Sequence, residues 1–143
     1  MAALLPDDIA LGRVFHASSG FSARFDARAR TYTYRIATGD APPLLTRKVT
    51  WWHRLPLDVE AMECGASYLV GEHDFKSFCK MSSAIGKPTC RNVIEVSFER
   101  EGALGEEHIA FTITGNAFLH SMVRTIVGTS LKSARVVEIR SGF

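Results

Sequence analysis

Apolar and polar side chains alternate over Arg30–Ile36, RTYTYRI. With β-forming residues throughout, this predicts a strand placing Arg30, Tyr32, Tyr34 and Ile36 on one face and Thr31, Thr33 and Arg35 on the other. Turn chemistry in GDAPP, Gly39–Pro43, ends it, and KVTWWH, Lys48–His53, offers a second strand. The period then changes. Val59, Met62, Ala66 and Leu69 recur at helical spacing within Leu57–Val70, between Pro56 and Gly71, so a helix is expected there.

Gly71–Lys80 and the Ser-, Gly- and Pro-bearing stretch Met81–Thr89 read as turn and loop. Asn92–Glu99 and His108–Thr114 alternate again and are expected to pair as an antiparallel hairpin joined by the acidic segment Arg100–Glu107. A closing helix is expected over Ala117–Ala134, with Asn116 as its N-cap. The order strand, strand, helix, strand, strand, helix predicts a single α+β domain, an antiparallel sheet with helices packed on one face.

Composition narrows function only slightly. The chain has 143 residues, 46% of them hydrophobic and 22% charged, as expected of a globular protein that buries a core without disulfides or a structural metal. A formal net charge of +2 means that any affinity for a polyanion must come from local clustering of Arg and Lys. The three cysteines, Cys64, Cys79 and Cys90, form no C-x-x-C pair, and the histidines show no ligand spacing, so no metal is expected. The start, MAALLPDDIAL, lacks signal-peptide character, and no apolar run is long enough to span a membrane. A cytoplasmic location with reduced thiols is the simplest expectation.

Two stretches stand out chemically. In Phe21–Ile36, FSARFDARARTYTYRI, Arg24, Arg28, Arg30 and Arg35 are interleaved with Phe21, Phe25, Tyr32 and Tyr34, and only Asp26 opposes them. Arginine forks suit phosphates and aromatic faces suit unpaired bases, so this is a candidate RNA-facing surface, beside the plainer reading of a solvated strand with core aromatics. In GNAFLHSMVRTIVG, Gly115–Gly128, Arg124 stands among apolar neighbours. On a helical wheel of about 100° per residue, Phe118, Leu119, Met122, Val123, Ile126 and Val127 fill one half, and Arg124 falls on the other with His120, Ser121, Thr125 and Gly128. Helix geometry alone favours a surface arginine. The absence of a carboxylate at i±3 or i±4, and a face made small by Ala117, Ser121 and Gly128, leave open an arginine that awaits an anion. His73, Asp74 and Cys79 have no spacing that supports a catalytic centre.

Five blocks occur in a telling order: LPDDIAL (Leu5–Leu11), FSARFDARARTYTY (Phe21–Tyr34), LVGEHDFKSF (Leu69–Phe78), TCRNVIEV (Thr89–Val96) and GNAFLHSMVRTIVG. Together they resemble the C-terminal half of the tRNA pseudouridine synthase A family over nearly the whole chain. The resemblance implies isomerisation of uridine to pseudouridine in the tRNA anticodon stem-loop, without a cofactor, by a homodimer. It implies that Tyr32 packs against the target base and that Arg124 pairs with the catalytic aspartate. Arg24, Arg28, Arg30, Tyr34, Asn116, Phe118 and His120 would then face RNA. The family's aspartate belongs to an Arg-Thr-Asp-Ala-Gly-type motif in the N-terminal half. None of Asp7, Asp8, Asp26, Asp40, Asp58 and Asp74 has that context. A C-terminal domain without its nucleophile, inactive until joined to an N-terminal half, is therefore expected. The alternative is a non-catalytic RNA-binding module of the same fold.

Overall fold

The Arg30–Ile36 alternation becomes strand β1, Arg30–Thr38, whose one face carries Tyr32, Tyr34 and Ile36. A computed structural model describes residues 5–140, with side chains throughout except Ser83 and residues 133–140. The other elements are β2 (Trp51–His53), α1 (Val59–Ser67), β3 (Gly71–Asp74), α2 (Met81–Ala84), β4 (Cys90–Ala103), β5 (Glu106–Gly115) and α3 (Met122–Arg140). They build an α+β fold around one five-stranded sheet of order β2-β1-β5-β4-β3.

β5 lies at the centre, paired antiparallel to β1 and β4. Its Ile109, Phe111 and Ile113 alternate onto the same face as Ile36 of β1 and Phe98 of β4, and Met62, Ala66, Met122, Ile126, Val127 and Leu131 from α1 and α3 close over them. Full burial of one such large side chain contributes roughly 1.5–3 kcal/mol. On the opposite face the β1–β5 pairs are polar. Thr31 bonds Thr114 at 2.9 Å and Thr33 bonds Thr112 at 3.2 Å, while Glu101 takes Arg35 Nε at 3.3 Å and meets His108 Nε2 at 3.2 Å.

Several local expectations need correction. The second strand is only Trp51–His53 and runs parallel to β1, because Thr46–Thr50 is a helical turn in which Val49 and Thr50 N–H both reach the Thr46 carbonyl. Gly71–Asp74 is an edge strand, created by pairing with β4 despite its polar sequence. The acidic connector is itself strand, and the hairpin turns on Leu104 and Gly105 alone, with φ of 55° and 79°, the signs of a two-residue hairpin turn. The last helix starts at Met122, not Ala117, because Ser121 adopts φ 66° and breaks the helical path. Asn116 is therefore not its N-cap. α1 is shorter than expected but keeps a side-chain cap, Asp58 Oδ1 accepting the Ala61 N–H at 3.0 Å.

One carboxylate holds the loop before β2. Glu106 accepts the N–H groups of Leu44, Leu45 and Thr46 at 2.6, 3.0 and 2.9 Å and the Thr46 hydroxyl at 2.7 Å. These bonds, the Thr46 hydroxyl foremost, pull its pKa from 4.5 to about 2. A depressed carboxylate pKa contributes stability that is complete above the ordinary value and is lost as pH falls through the depressed one. Glu106→Gln should thus lower stability at neutral pH and flatten the loss of stability between pH 4.5 and about 2, measured by urea unfolding across that range. Asp74, also lowered, by the Thr89 hydroxyl first, leaves a residual acid dependence in the variant.

Candidate active site

After β5 the chain crosses the open end of the sheet through residues 116–121. Gly115 permits this crossing: a Cβ there would lie 3.0 Å from the Asn92 carbonyl oxygen and 3.1 Å from Phe118 Cζ. Phe118 packs directly over the glycine and meets Tyr32 edge to face, with centroids 5.2 Å apart and planes at 88°. The loop is held from below, since the His120 carbonyl accepts Lys80 N–H at 3.2 Å. Ser121 then redirects the chain, and its carbonyl accepts the Thr125 N–H at 3.0 Å as α3 begins.

This path brings together two segments that are remote in sequence. A cavity of about 620 Å³ is walled by Tyr32 and Tyr34 of β1, by Phe118 and His120 of the loop, and by Arg124 in the first turn of α3. Its volume lies within the roughly 300–1,000 Å³ typical of small-ligand sites. Among the described residues no carboxylate lines it. Arg124 is exposed, and among the described residues no hydrogen bond or ion pair engages it. It also stands at the positive end of a 19-residue helix, where a cation is electrostatically unfavourable and an anion favourable. The cavity therefore combines aromatic walls with an uncompensated positive corner, a geometry suited to a flat ring carried beside an anionic group.

The other sequence candidates divide. Arg30 acts as a brace: its guanidinium donates to the Asn116 carbonyl at 2.9 Å and to the Arg24 carbonyl at 3.1 Å, tying the arginine-rich loop to the cavity loop. Asn116 exchanges bonds with Asn92, accepting its N–H through Oδ1 at 3.1 Å and donating its own N–H to the Asn92 carbonyl at 3.0 Å. Arg24 and Arg28 are exposed outside the cavity, with Arg24 5.6 Å above the ring of Phe25. The turn that carries Arg24 is closed by Asp26, which accepts Ser22 N–H at 2.8 Å. Gly115 and Ser121, which shape the cavity through the backbone, were not sequence candidates; the glycine opening the G-N-A-F run was the available signal.

His73, Asp74 and Cys79 are locally engaged. His73 Nε2 meets the Val70 carbonyl, Asp74 accepts Lys76 N–H, and the Cys79 thiol donates to the Lys76 carbonyl. Among the described residues no group of three or more His, Cys, Asp or Glu could hold a metal ion, and no helix is long and apolar enough to cross a membrane.

The chain is similar to known proteins over most of its length. The chain is 42% identical over 134 residues to the tRNA pseudouridine synthase A of Streptomyces avermitilis, covering 92% of this chain and 45% of that protein. The protein of the same name from Halalkalibacterium halodurans is 39% identical over 128 residues (90% and 47%), and that from Brevibacillus brevis 39% over 138 residues (96% and 52%). The chain thus spans about half the length of the curated relatives it matches. Residues 66–138, which include the cavity loop and Arg124, match the family described as tRNA pseudouridine synthase, and the chain belongs to that family.

Proposed function

We propose that this chain is the RNA-binding, active-site-completing C-terminal half of a tRNA pseudouridine synthase that converts uridine to pseudouridine in the anticodon stem-loop. The observation that carries the reading is the cavity in which Tyr32, Phe118 and Arg124 converge with no carboxylate among the described residues. A uridine turned out of its stack places its base against Tyr32, whose ring is already steadied by Phe118. Arg124 receives the aspartate of the N-terminal half and keeps it ionised and oriented while the glycosidic bond breaks, the base turns, and the ring is rejoined through carbon. Arg24 and Arg28, outside the cavity, hold the flanking phosphates. The partners are tRNA, the N-terminal half, and a second subunit of the complete enzyme.

The test is a chimera in which this chain replaces the matching segment of the Streptomyces avermitilis relative. Pseudouridine formation is then measured on an unmodified tRNA transcript. Tyr32→Ala should lower the rate about 100-fold or more by leaving the base unsupported, while Tyr32→Phe, which keeps the stacking face, should retain more of it. A Tyr32→Ala chimera with an unaltered rate would sink the assignment.

A further inference from the structure

A second concavity adjoins the first. β2 pairs with β1 only at Ile36–Thr38, so the stretch Arg30–Arg35 presents an edge free of β2. Beside that edge lies a cavity of about 320 Å³, lined by Thr33, Tyr34 and Arg35 of β1 and by Lys48, Thr50 and Trp51. Thr33 and Tyr34 line both cavities, so the two share a wall. Among the described residues, the lining of the second contains two cations and no carboxylate. Among the described residues, Lys48 is exposed and makes no ion pair, and Arg35 commits only its Nε, to Glu101, leaving its terminal N–H groups without a partner there. Trp51 is 41% exposed although it is a large aromatic, and it is held upright by edge-to-face contact with Tyr34, centroids 6.1 Å apart and planes at 90°. The loop bearing Lys48 is fixed at its root by the Glu106 bonds to residues 44–46.

An exposed, braced indole next to Lys48, which makes no ion pair among the described residues, and Arg35, which shares its charge with Glu101 through Nε alone, has the chemistry of a single-stranded nucleotide site: a face for the base and two cations for its phosphate. We propose that this second cavity is a subsite for the nucleotide next to the one held against Tyr32, its base stacked on Trp51 and its phosphate between Lys48 and Arg35; the proposal rests on the RNA-binding reading above. Tyr32, Tyr34 and Trp51 then form a continuous aromatic track that leads the strand out of the first cavity across the end of β1.

The chain has two tryptophans, so Trp52→Phe leaves Trp51 as the only indole. That variant is titrated with a labelled single-stranded RNA of anticodon-loop sequence, following RNA anisotropy and Trp51 emission in the same sample. The expected result is binding accompanied by quenching of Trp51. Trp51→Ala should weaken binding roughly 10-fold or more, and Trp51→Phe should restore part of the loss because the ring remains. Lys48→Gln, at an exposed position that leaves the fold intact, should reduce the dependence of log affinity on log salt by about 0.7, the contribution of one phosphate contact on a single strand. RNA binding with unchanged Trp51 emission and an unchanged salt slope in Lys48→Gln overturns the subsite and leaves the Tyr32 cavity standing. Absence of any RNA binding overturns both.

Discussion

Replacing Arg124 with alanine should lower pseudouridine formation by the chimera about 100- to 1,000-fold, the usual cost of removing one preorganised electrostatic contact from an active site. The same substitution should change the stability of the chain by less than about 0.5 kcal/mol, because the side chain is exposed and engages no described partner. This dissociation is the signature of a residue kept for its ligand. A surface arginine of the ordinary kind would change neither quantity, and a structural one would change both. Arg124→Lys preserves the charge but not the planar fork, and should recover only part of the rate. In the proposed role the guanidinium keeps a carboxylate ionised, so the residual activity of the alanine variant should also require a higher pH than the parent.

The second large effect is expected from Gly115→Ala. Contacts of 3.0 Å to a backbone carbonyl and 3.1 Å to Phe118 leave no room for a methyl group without displacement, and the carbonyl belongs to β4 and yields little. The substitution should cost about 1–3 kcal/mol and lower Tm by roughly 3–10 °C in a thermal scan. Its effect on RNA binding should exceed what stability predicts, because the ring displaced is the one that meets Tyr32. Adding Phe118→Leu to Gly115→Ala should restore part of the stability, by relieving the ring contact, but none of the RNA affinity. Full restoration of both would show that Phe118 is a packing residue alone.

The faces of β1 were legible in the sequence because side chains alternate across a strand, which puts Tyr32, Tyr34 and Ile36 together, whereas burial follows position along the strand, rising from exposed Tyr32 to buried Ile36 and Ala37. The start of α3 was not. Phe118 and Leu119 both pack against the core from a loop, so their spacing imitates a helix while the break at Ser121, a φ of 66° on an ordinary residue, leaves no mark in the apolar pattern. The polar edge strand β3 was hidden for a related reason: its pairing with β4 is made by backbone atoms, and an edge without buried side chains shows no alternation. Among candidate site residues, Tyr32, Tyr34, Phe118, His120 and Arg124 meet at one cavity. Arg30, counted with the RNA-facing arginines by composition, instead spends its guanidinium on two carbonyls, which composition cannot reveal. Trp51 was assigned to a strand without a role, and only the open edge of β1 gives its exposure a meaning.

In the proposed enzyme this chain supplies the arginine of an ion pair whose aspartate comes from outside it. The most direct measurement is pseudouridine formation on an unmodified tRNA transcript by the chain alone and by the chimera carrying the N-terminal half of the Streptomyces avermitilis relative. The chain alone should form no product, and the chimera should form product that disappears with Arg124→Ala. Pseudouridine formed by the isolated chain would contradict this assignment.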